Sequence, residues 1–377
     1  MPIIKKLVKP LVLFVLIASL LSGGVVVSAS APSLSAQSAI LIDAKSGTVL
    51  FQKNADRPRP MASTTKIMTA VIAIESGRLD RQVKITKASV GIEGSSIYLC
   101  EGEILTLRQL LYALLLSSAN DAATAIAIEV GGSIEGFTEL MNKKAELLGL
   151  TSTHFDNPHG LDSDNHYTTA GDLAALAAYA ITLEEFRNIV SCYKHSIPMS
   201  GNENGRLLVN HNKLLKSYDG VIGVKTGFTK KSGRCLVSAA ERNGTTLIAV
   251  TLSAPDDWRD HAAMLDYGFE NFVSVPLSDG GIIFDIPVIS GVSSTVGCAS
   301  LKSAYALLPK DHGAIVCKVE ADRFLYAPVD KGEKVGKITF VCDGKILGEI
   351  EITATEDVAL CKQKVSLWDK IKNLFGS

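Results

Sequence analysis

The sequence lacks a large excess of charge of either sign, and it lacks a metal-binding pattern. Its 377 residues include 38 Lys and Arg and 39 Asp and Glu, for a formal net charge of -1. This balance gives no reason to expect a nucleic acid or another polyanion as partner. The seven cysteines include no C-x-x-C pair, and no cysteine–histidine cluster has zinc-site spacing. We therefore expect no metal, no cofactor and no nucleic acid.

The N-terminus has the pattern of an export signal. Three lysines within residues 1–9 precede an apolar run over residues 11–21, and Ala29-Ser30-Ala31 resembles a cleavage site. We expect residues 1–31 to be a signal peptide, with an uncleaved membrane anchor as the alternative. In either case the remainder of the protein is expected to be exported.

Ser63 and Lys66 stand at the beginning of an apolar run, residues 67–74, that predicts a buried helix. Positions three apart share a helix face, so the two side chains are expected to meet. A serine hydroxyl needs a base to become a nucleophile, and a lysine serves as one only when neutral. Burial among apolar neighbours lowers a lysine pKa. The pair therefore predicts a nucleophile and its base, although a capping serine with a solvated lysine is the common alternative.

Two further motifs support the catalytic interpretation. Ser118-Ala119-Asn120 lies between predicted helices at residues 105–116 and 122–130, and Lys225-Thr226-Gly227 lies in a predicted strand at residues 221–227. The order S-x-x-K, S-x-N, K-T-G is that of β-lactamases and penicillin-binding proteins. The alternatives are that Ser118 and Asn120 cap a helix, and that Gly227 is a bulge glycine.

Helices and strands together predict a mixed α/β domain over residues 32–275. Strands are expected at residues 38–43, 48–51, 221–227, 234–240 and 246–252, the last three being antiparallel neighbours, and further helices at residues 137–148, 172–181 and 261–272. A long polar loop occupies residues 153–170, and a loop of this length is usually functional or flexible.

Beyond Pro276 the helical periodicity largely disappears. Short Val and Ile segments alternate with turns, and Asp343-Gly344 predicts a two-residue hairpin. We expect a small all-β domain over residues 276–360. Residues 361–377 predict an amphipathic, membrane-associating tail, whose apolar side chains share one helical face: Leu367, Trp368, Ile371, Leu374 and Phe375. A helix that packs on its own domain is the alternative for this segment.

The resemblance extends beyond the three short motifs. The segments 57–66, 159–162 and 225–229 resemble those of the low-molecular-mass D-alanyl-D-alanine carboxypeptidases, penicillin-binding proteins of the serine peptidase S11 family. This resemblance covers about residues 37–275, and the β-rich segment and tail are similar to that family's organisation. It implies a transpeptidase/β-lactamase-like domain with an antiparallel sheet and helices.

The resemblance also implies a substrate and a role for each residue. Ser63 would attack the peptide bond between the terminal D-alanines of a peptidoglycan stem peptide, with Lys66 accepting its proton. Ser118 and Lys225 would relay a proton to the leaving amine, and Asn120 would bind substrate or orient Lys66.

The resemblance implies binding roles as well. Lys225 and Thr226 would hold the terminal carboxylate, and Gly227 would let the substrate approach the strand. The N–H groups of Ser63 and Phe228 would form the oxyanion hole. β-Lactam antibiotics would act as inhibitors at the outer face of the cytoplasmic membrane.

Several alternatives remain at this stage. A β-lactamase would need a glutamate that activates water, but residues 151–182 contain none. Glu185 has a suitable sequence neighbourhood, yet Thr182 followed by Glu185 reads as the capping box of an ordinary helix. A D,D-endopeptidase would use the same residues, and a non-enzymatic peptidoglycan-binding protein would not need them intact. His211 and Arg259 could approach a substrate carboxylate, but neither lies in a motif, so neither is assigned.

Overall fold

The computed structural model describes residues 31–300 and 302–361, and those from Ser33 onward belong to one compact unit. The predicted signal peptide, apart from Ala31, and the predicted tail, apart from Cys361, lie outside the described residues. Within the described ranges, no helix has both the length and the apolar character needed to cross a bilayer.

Helices and strands alternate in the first two thirds of the chain, and strands alone follow. The helices described are α1 (Lys66–Glu75), α2 (Leu107–Leu116), α3 (Asn120–Gly131), α4 (Ile134–Leu147), α5 (Ala170–Ala180), α6 (Glu184–Ser191), α7 (Leu214–Ser217) and α8 (Asp257–Asn271). The strands up to α8 are β1 (Ser38–Asp43), β2 (Val49–Lys53), β3 (Gln82–Lys84), β4 (Ile104–Thr106), β5 (Lys194–Met199), β6 (Asn202–Val209), β7 (Val221–Thr229), β8 (Gly233–Arg242) and β9 (Thr245–Leu252). The strands after α8 are β10 (Phe272–Ser278), β11 (Ile282–Ile289), β12 (Thr295–Ser300), β13 (Ala304–Pro309), β14 (Ile315–Ala321), β15 (Leu325–Tyr326), β16 (Lys334–Cys342) and β17 (Lys345–Ala354).

One five-stranded antiparallel sheet organises the first region, in the order β2-β1-β9-β8-β7. The three predicted neighbours at its end are confirmed as β7, β8 and β9. Because β7 is the last strand in this order, one of its edges pairs with no other strand of the sheet. An edge strand presents backbone N–H and C=O groups that an extended peptide can use.

Helix α1 lies in the largest hydrophobic core of the described chain. Its residues Ile67, Met68, Ala70 and Val71 are fully inaccessible to solvent and belong to the same cluster as residues of α2, α3 and α5. This is the buried apolar helix that the sequence predicts. Since a helix of this kind is surrounded on most sides, a polar side chain at its beginning is carried into the protein interior.

Two local predictions differ from the structure. Ser63 does not lie in the first α-helical turn but in a 3-10 turn over Ala62–Thr65, which runs directly into α1. The capping box proposed at Thr182 is wrong: α6 begins after Leu183 without a side-chain cap, and the Thr182 hydroxyl donates to the carbonyl oxygen of Tyr179. The β5–β6 hairpin was not predicted from the sequence, because each of its strands begins with a polar stretch rather than an alternating apolar pattern.

The C-terminal part is an all-β domain, as expected. A six-stranded sheet has the order β14-β16-β17-β12-β11-β15, and β10 pairs separately with β13. The predicted hairpin is confirmed, since Asp343 and Gly344 connect β16 to β17 with φ values of 49° and 77°. Positive φ at both positions is what a tight two-residue turn between twisted strands requires. The predicted boundary at residue 276 falls inside β10 and stays a prediction.

Candidate active site

The 3-10 turn before α1 places Ser63 beside Lys66. The residue before the serine, Ala62, has a φ of 48°, in the left-handed region that a residue with a side chain seldom adopts. Such strain persists only when the surroundings impose it, and it concentrates at functional sites. The distance from Lys66 Nζ to Ser63 Oγ is 2.8 Å. The expected contact of the two side chains is therefore present, with a different local backbone from the one predicted.

Lys66 Nζ has three close oxygen neighbours. Besides Ser63 Oγ, it lies 2.7 Å from Asn120 Oδ1 and 2.6 Å from the carbonyl oxygen of His159. The amide and carbonyl oxygens accept hydrogen bonds, so both need an N–H of the lysine. A neutral amine has two N–H groups and one lone pair. Two donated bonds therefore leave its lone pair directed at the serine hydroxyl, which is the arrangement that a general base needs.

Burial and a second lysine favour the neutral form of Lys66. Its side chain is fully inaccessible, and this desolvation, with the nearby charge of Lys225, lowers its pKa well below the ordinary lysine value. The charge of Asp121 opposes this shift. Desolvation also lowers the pKa of Lys225 to about 7. The site thus holds two buried lysines, of which Lys66 is the one in contact with the serine.

The segment from Ser118 to Asn120 forms the connection between α2 and α3. Ser118 is the second site residue with a left-handed backbone, at a φ of 58°. Asn120 begins α3, and its N–H donates to the carbonyl oxygen of Ser95. The next residue, Asp121, is fully buried and accepts hydrogen bonds from the backbone N–H groups of Ile97 and Leu99. These bonds fasten the beginning of α3 to the segment of residues 95–99, which precedes β4, so Asn120 contacts Lys66 from a fixed position.

The long polar loop packs against the turn that contains Ser63 rather than extending into solvent. His166 accepts the N–H of Asp156 at Nδ1, and its Nε2 lies 2.7 Å from the Thr65 hydroxyl, which donates to the carbonyl oxygen of Ala62. Burial lowers the pKa of His166 to about 4 and that of His159 to about 3, so both side chains are neutral near pH 7. The loop therefore contributes a carbonyl oxygen to Lys66 and supports the strained turn.

Strand β7 forms the opposite wall of the site. A Cβ atom added to Gly227 would lie 3.0 Å from the Ser63 nitrogen and 3.2 Å from both Ala62 Cβ and the Met61 carbonyl oxygen. Contacts this short are tighter than most Cβ contacts in proteins, so a side chain there would push the neighbouring backbone away by a few tenths of an ångström. Glycine at residue 227 therefore permits the close approach of the strand and the serine.

A cleft of about 570 Å³ opens between these elements. It is lined by five of the predicted site residues: Ser63, Ser118, Thr226, Gly227 and Phe228. The other three, Lys66, Asn120 and Lys225, are at most 4% exposed and lie behind it. Among the described residues, Ser118 Oγ makes no hydrogen bond to either lysine, and Lys225 Nζ donates to the carbonyl oxygen of Thr226. All eight predicted residues are thus near one cleft, but the proposed relay between Ser118 and Lys225 is not preformed.

The cleft also contains basic residues that the sequence analysis did not assign. Arg234 lines it and donates to Asp257 Oδ1 over 2.9 Å, and His211 lines it too, whereas Arg259 is not among the lining residues. In the β7–β8 pair, Arg234 stands opposite Phe228. The predicted strands at residues 221–227 and 234–240 could have identified Arg234 as a cleft residue. A hairpin that joins these strands places Arg234 beside the K-T-G motif.

Comparisons with known proteins give a consistent result. Residues 25–256 match the family model described as D-alanyl-D-alanine carboxypeptidase, peptidase S11, and residues 274–360 match the C-terminal domain of penicillin-binding protein 5. The D-alanyl-D-alanine carboxypeptidase DacF of Bacillus subtilis is 31% identical, with 89% of this chain and 91% of the relative covered. DacA of Escherichia coli is 32% identical over 91% of this chain and 89% of the relative. The crystal structure of penicillin-binding protein 5 from Haemophilus influenzae superposes with a TM-score of 0.77 at 29% identity, covering 88% of this chain and all of that one.

Proposed function

The chain belongs to the D-alanyl-D-alanine carboxypeptidase family, peptidase S11, and from this premise we propose that Ser63 is the nucleophile of its serine-type carboxypeptidase reaction. The observation that carries the proposal is the contact between Ser63 Oγ and the buried amine of Lys66, whose pKa is lowered. The substrate is a peptidoglycan stem peptide that ends in D-Ala-D-Ala.

The acylation step follows from the contacts of Lys66. The Ser63 hydroxyl gives its proton to the lone pair of the neutral amine, and its oxygen attacks the carbonyl carbon between the two D-alanines. Negative charge then develops on the carbonyl oxygen. Hydrogen bonds from the backbone N–H groups of Ser63 and Phe228 would stabilise this charge. The resulting ammonium of Lys66 keeps Asn120 Oδ1 and the His159 carbonyl oxygen as acceptors. The base is therefore stabilised in the form that the reaction creates.

Completion of the reaction needs a proton for the leaving group and then water. The C–N bond breaks as the amine of the terminal D-alanine takes the proton of the Ser118 hydroxyl. The proton that Lys66 took from Ser63 passes through the relay of Ser118 and Lys225 to replace the one that Ser118 lost, so Lys66 is a neutral amine again. Water then hydrolyses the ester on Ser63, with Lys66 as base. Since Ser118 is not yet bonded to either lysine, we propose that bound substrate completes this relay.

The cationic side of the cleft supports recognition of a peptide C-terminus. His211 and Arg234 line the cleft together with Thr226, and Lys225 is the neighbour of Thr226 in β7. Burial and the charge of Lys225 lower the pKa of His211, so it would donate a hydrogen bond to a terminal carboxylate as a neutral group, whereas Arg234 would do so as a cation. The free edge of β7 supports binding of the peptide in an extended conformation. The groups that can bind a terminal carboxylate favour cleavage of the last residue of a chain, whereas the free edge would serve an endopeptidase equally well.

Penicillin labelling tests the assignment of Ser63. Intact mass should increase by one penicillin, and peptide mapping should place the adduct on the peptide that contains Ser63. Ser63→Ala should abolish both the adduct and D-alanine release from a pentapeptide ending in D-Ala-D-Ala, while Ser95→Ala, another serine lining the cleft, should retain the adduct. An adduct on Ser118 in the parent protein would overturn the assignment.

We further propose that the protein is exported and held at the outer face of the cytoplasmic membrane by residues 361–377. The proposal rests on the single apolar face predicted for this segment and on its lysines, which attract anionic lipid. The mature chain should sediment with liposomes, and a chain ending at Lys364 should remain in the supernatant. Equal sedimentation of both would mean that the tail packs on its own domain.

A further inference from the structure

Five exposed apolar side chains lie on three neighbouring segments of the C-terminal β-domain, a surface that we call the apolar edge. Its members are Ile289, Val292, Phe324, Tyr326 and Leu360, which are between 41% and 68% exposed. Apolar side chains that are exposed singly are ordinary, but a contiguous group of this kind commonly marks an interaction site. The catalytic mechanism uses none of these residues.

Backbone pairing explains why these side chains share a surface. Strand β15 is the last strand of its sheet and runs parallel to β11, with Val288 opposite Leu325 and Ile289 opposite Tyr326. Val288 and Leu325 are buried, so their partners one position later point outward. Phe324 lies on the same side as Tyr326, and their rings are 5.5 Å apart.

The hairpin loop after β11 extends this surface to the end of the described chain. Gly291 forms a bridge with Leu360, and the N–H of Val292 donates to the carbonyl oxygen of Ala359. Cys361 donates its N–H to the carbonyl oxygen of Ser290 over 2.7 Å. The chain therefore leaves the β-domain at the apolar edge, and residues 362–377 continue from that point.

Because the tail begins at the apolar edge, the length of the intervening chain limits the distance between this edge and any surface that the tail binds. Leu367, the first member of the predicted apolar face, lies six positions after Cys361. A fully extended chain of that length spans at most about 20 Å. If the tail lies in the lipid interface, then the edge from which it emerges lies close to the same interface.

We propose that the apolar edge is a second lipid contact, which inserts its exposed side chains into the interface beside the tail. This inference rests on the proposed membrane role of residues 361–377. Tyrosine, and aromatic side chains generally, suit the zone between headgroups and acyl chains. A contact made by the folded β-domain itself restricts its orientation relative to the membrane, which binding through the tail alone does not.

Burial of apolar area, rather than charge, drives this contact. The neighbourhood of the edge carries both signs, with Arg323 and Lys331 exposed beside Asp322 and Asp357. The tail, by contrast, contains several lysines. The contribution of the apolar edge to lipid binding is therefore expected to persist at high salt, where the electrostatic part of tail binding is screened.

The test compares three chains with the parent in sedimentation with phosphatidylethanolamine–phosphatidylglycerol vesicles. The edge variant combines Val292→Ser, Phe324→Ser and Tyr326→Ser. The control combines Val316→Ser, Val319→Ser and Ile346→Ser, whose side chains are similarly exposed on other strands, at 52%, 55% and 67%. The third chain ends at Lys364. Retained penicillin labelling and cooperative thermal unfolding show that each variant is folded.

We expect the edge variant to bind vesicles roughly tenfold more weakly than the parent at low and high salt, and the control to stay within about twofold. Parent-like binding of the edge variant would overturn the second contact while leaving the tail proposal intact. Parent-like binding of the chain ending at Lys364 would instead contradict the tail proposal. If the tail covers the apolar edge, the edge variant will not bind more weakly, which also overturns the inference.

A second measurement keeps the proposal testable if the triple variant unfolds. Tryptophan fluorescence is recorded for Tyr326→Trp and Val316→Trp with vesicles that contain brominated lipid, and the parent spectrum is subtracted. Quenching at residue 326 but not at residue 316 supports insertion of the apolar edge. Equal quenching at both positions, or none at residue 326, contradicts it.

Discussion

At the scale of the single residue, the proposed reaction needs the two buried lysines in different charge states. Lys66 acts as base only when neutral, and its contacts with Asn120 and His159 occupy two N–H groups. Lys225 attracts a carboxylate only when charged. The charge on Lys225 lowers the pKa of Lys66, so the ammonium that favours substrate binding also helps to keep the base neutral.

The pKa of Lys225, about 7, predicts a pH dependence of substrate capture. The ammonium form predominates below this pH, so kcat/KM for a D-Ala-D-Ala peptide should fall about tenfold per unit as pH rises above 7. Lys225→Arg stays charged throughout this range. Its kcat/KM will be lower because the geometry differs, but the decline near pH 7 should disappear. A decline of the same position and slope in Lys225→Arg would assign the titration to another group.

Gly227→Ala tests whether the close approach of β7 and Ser63 matters for catalysis. The added Cβ would press on the Ser63 nitrogen, Ala62 Cβ and the Met61 carbonyl oxygen, which belong to a backbone already in a strained conformation. Because the Ser63 N–H is a proposed oxyanion donor, we expect penicillin acylation to slow by roughly ten- to a hundredfold. Stopped-flow labelling measures this rate.

Gly348→Ala is the matched control for that substitution. It lies in a strand of the β-domain, and its Cβ would have no neighbour within 4 Å. This variant should acylate at the parent rate. If Gly227→Ala also acylates at the parent rate, the serine N–H is not a critical donor.

At the scale of the element, the site combines one helix, one connection and one strand that the sequence predicts separately. The periodicity of apolar residues is sufficient to predict α1, the connection after α2, and β7, because each follows from a local apolar pattern. The left-handed backbone of Ala62 and Ser118 was not predictable, since neither residue type prefers it and only tertiary contacts impose it. The contact of the His159 carbonyl oxygen with Lys66 was not predictable either, because every residue has a backbone carbonyl and the residue type does not show which one is used.

These elements bring no free carboxylate to the nucleophile. Among the described residues that line the cleft, Asp257 is the one acidic residue, and it accepts a hydrogen bond from Arg234. Glu185, the glutamate considered for a β-lactamase, forms an ion pair with Arg108. A penicillin-derived ester keeps its leaving group attached, so water has little access to it. We therefore expect penicilloyl-Ser63 to be hydrolysed slowly.

We expect the penicilloyl ester to be hydrolysed roughly 30- to 100-fold more slowly than the peptide substrate is turned over. This ratio of rates corresponds to a difference on the order of 2–3 kcal/mol in activation free energy. Decay of a fluorescent penicillin adduct in a single turnover, alongside steady-state release of D-alanine, measures it. Glu185→Gln serves as control and should leave the decay rate unchanged. Adduct decay as fast as peptide turnover would instead favour a β-lactamase.

At the scale of the whole molecule, the sheet joins segments that are far apart in sequence. Strand β1 pairs with β9. The backbone N–H groups of Ser35 and Ala36 donate hydrogen bonds to the carboxylate of Asp260, which holds the beginning of the described chain against α8. The sequence predicted most of these strands and the neighbours β7, β8 and β9, but not the pairing of β1 with β9, because pairing between distant segments depends on the packing of both faces. The same limitation concealed the apolar edge, whose members come from three separate segments.

This packing leaves three histidines in the interior with pKa values lowered by burial. The values are about 3 for His159, about 4 for His166 and about 3 for His261. In the unfolded chain a histidine has a pKa near 6.5. The unfolded state therefore binds more protons below that pH, and folding stability should be complete above about 6.5 and decline as pH falls toward 4.

His261 offers the cleanest test of this acid sensitivity, because it lies outside the cleft. Its Nε2 is 3.0 Å from the Thr251 hydroxyl, and its Nδ1 has no hydrogen-bond partner among the described residues. Each such histidine contributes about 1.4 kcal/mol of unfolding free energy per pH unit between its two pKa values. His261→Leu should reduce the slope of unfolding free energy against pH by that amount, whatever its effect on stability at neutral pH. Urea unfolding between about pH 7.5 and 5 measures the slope, with His154→Gln, a more exposed histidine, as control. An unchanged slope in His261→Leu would mean that the buried imidazole becomes protonated without unfolding.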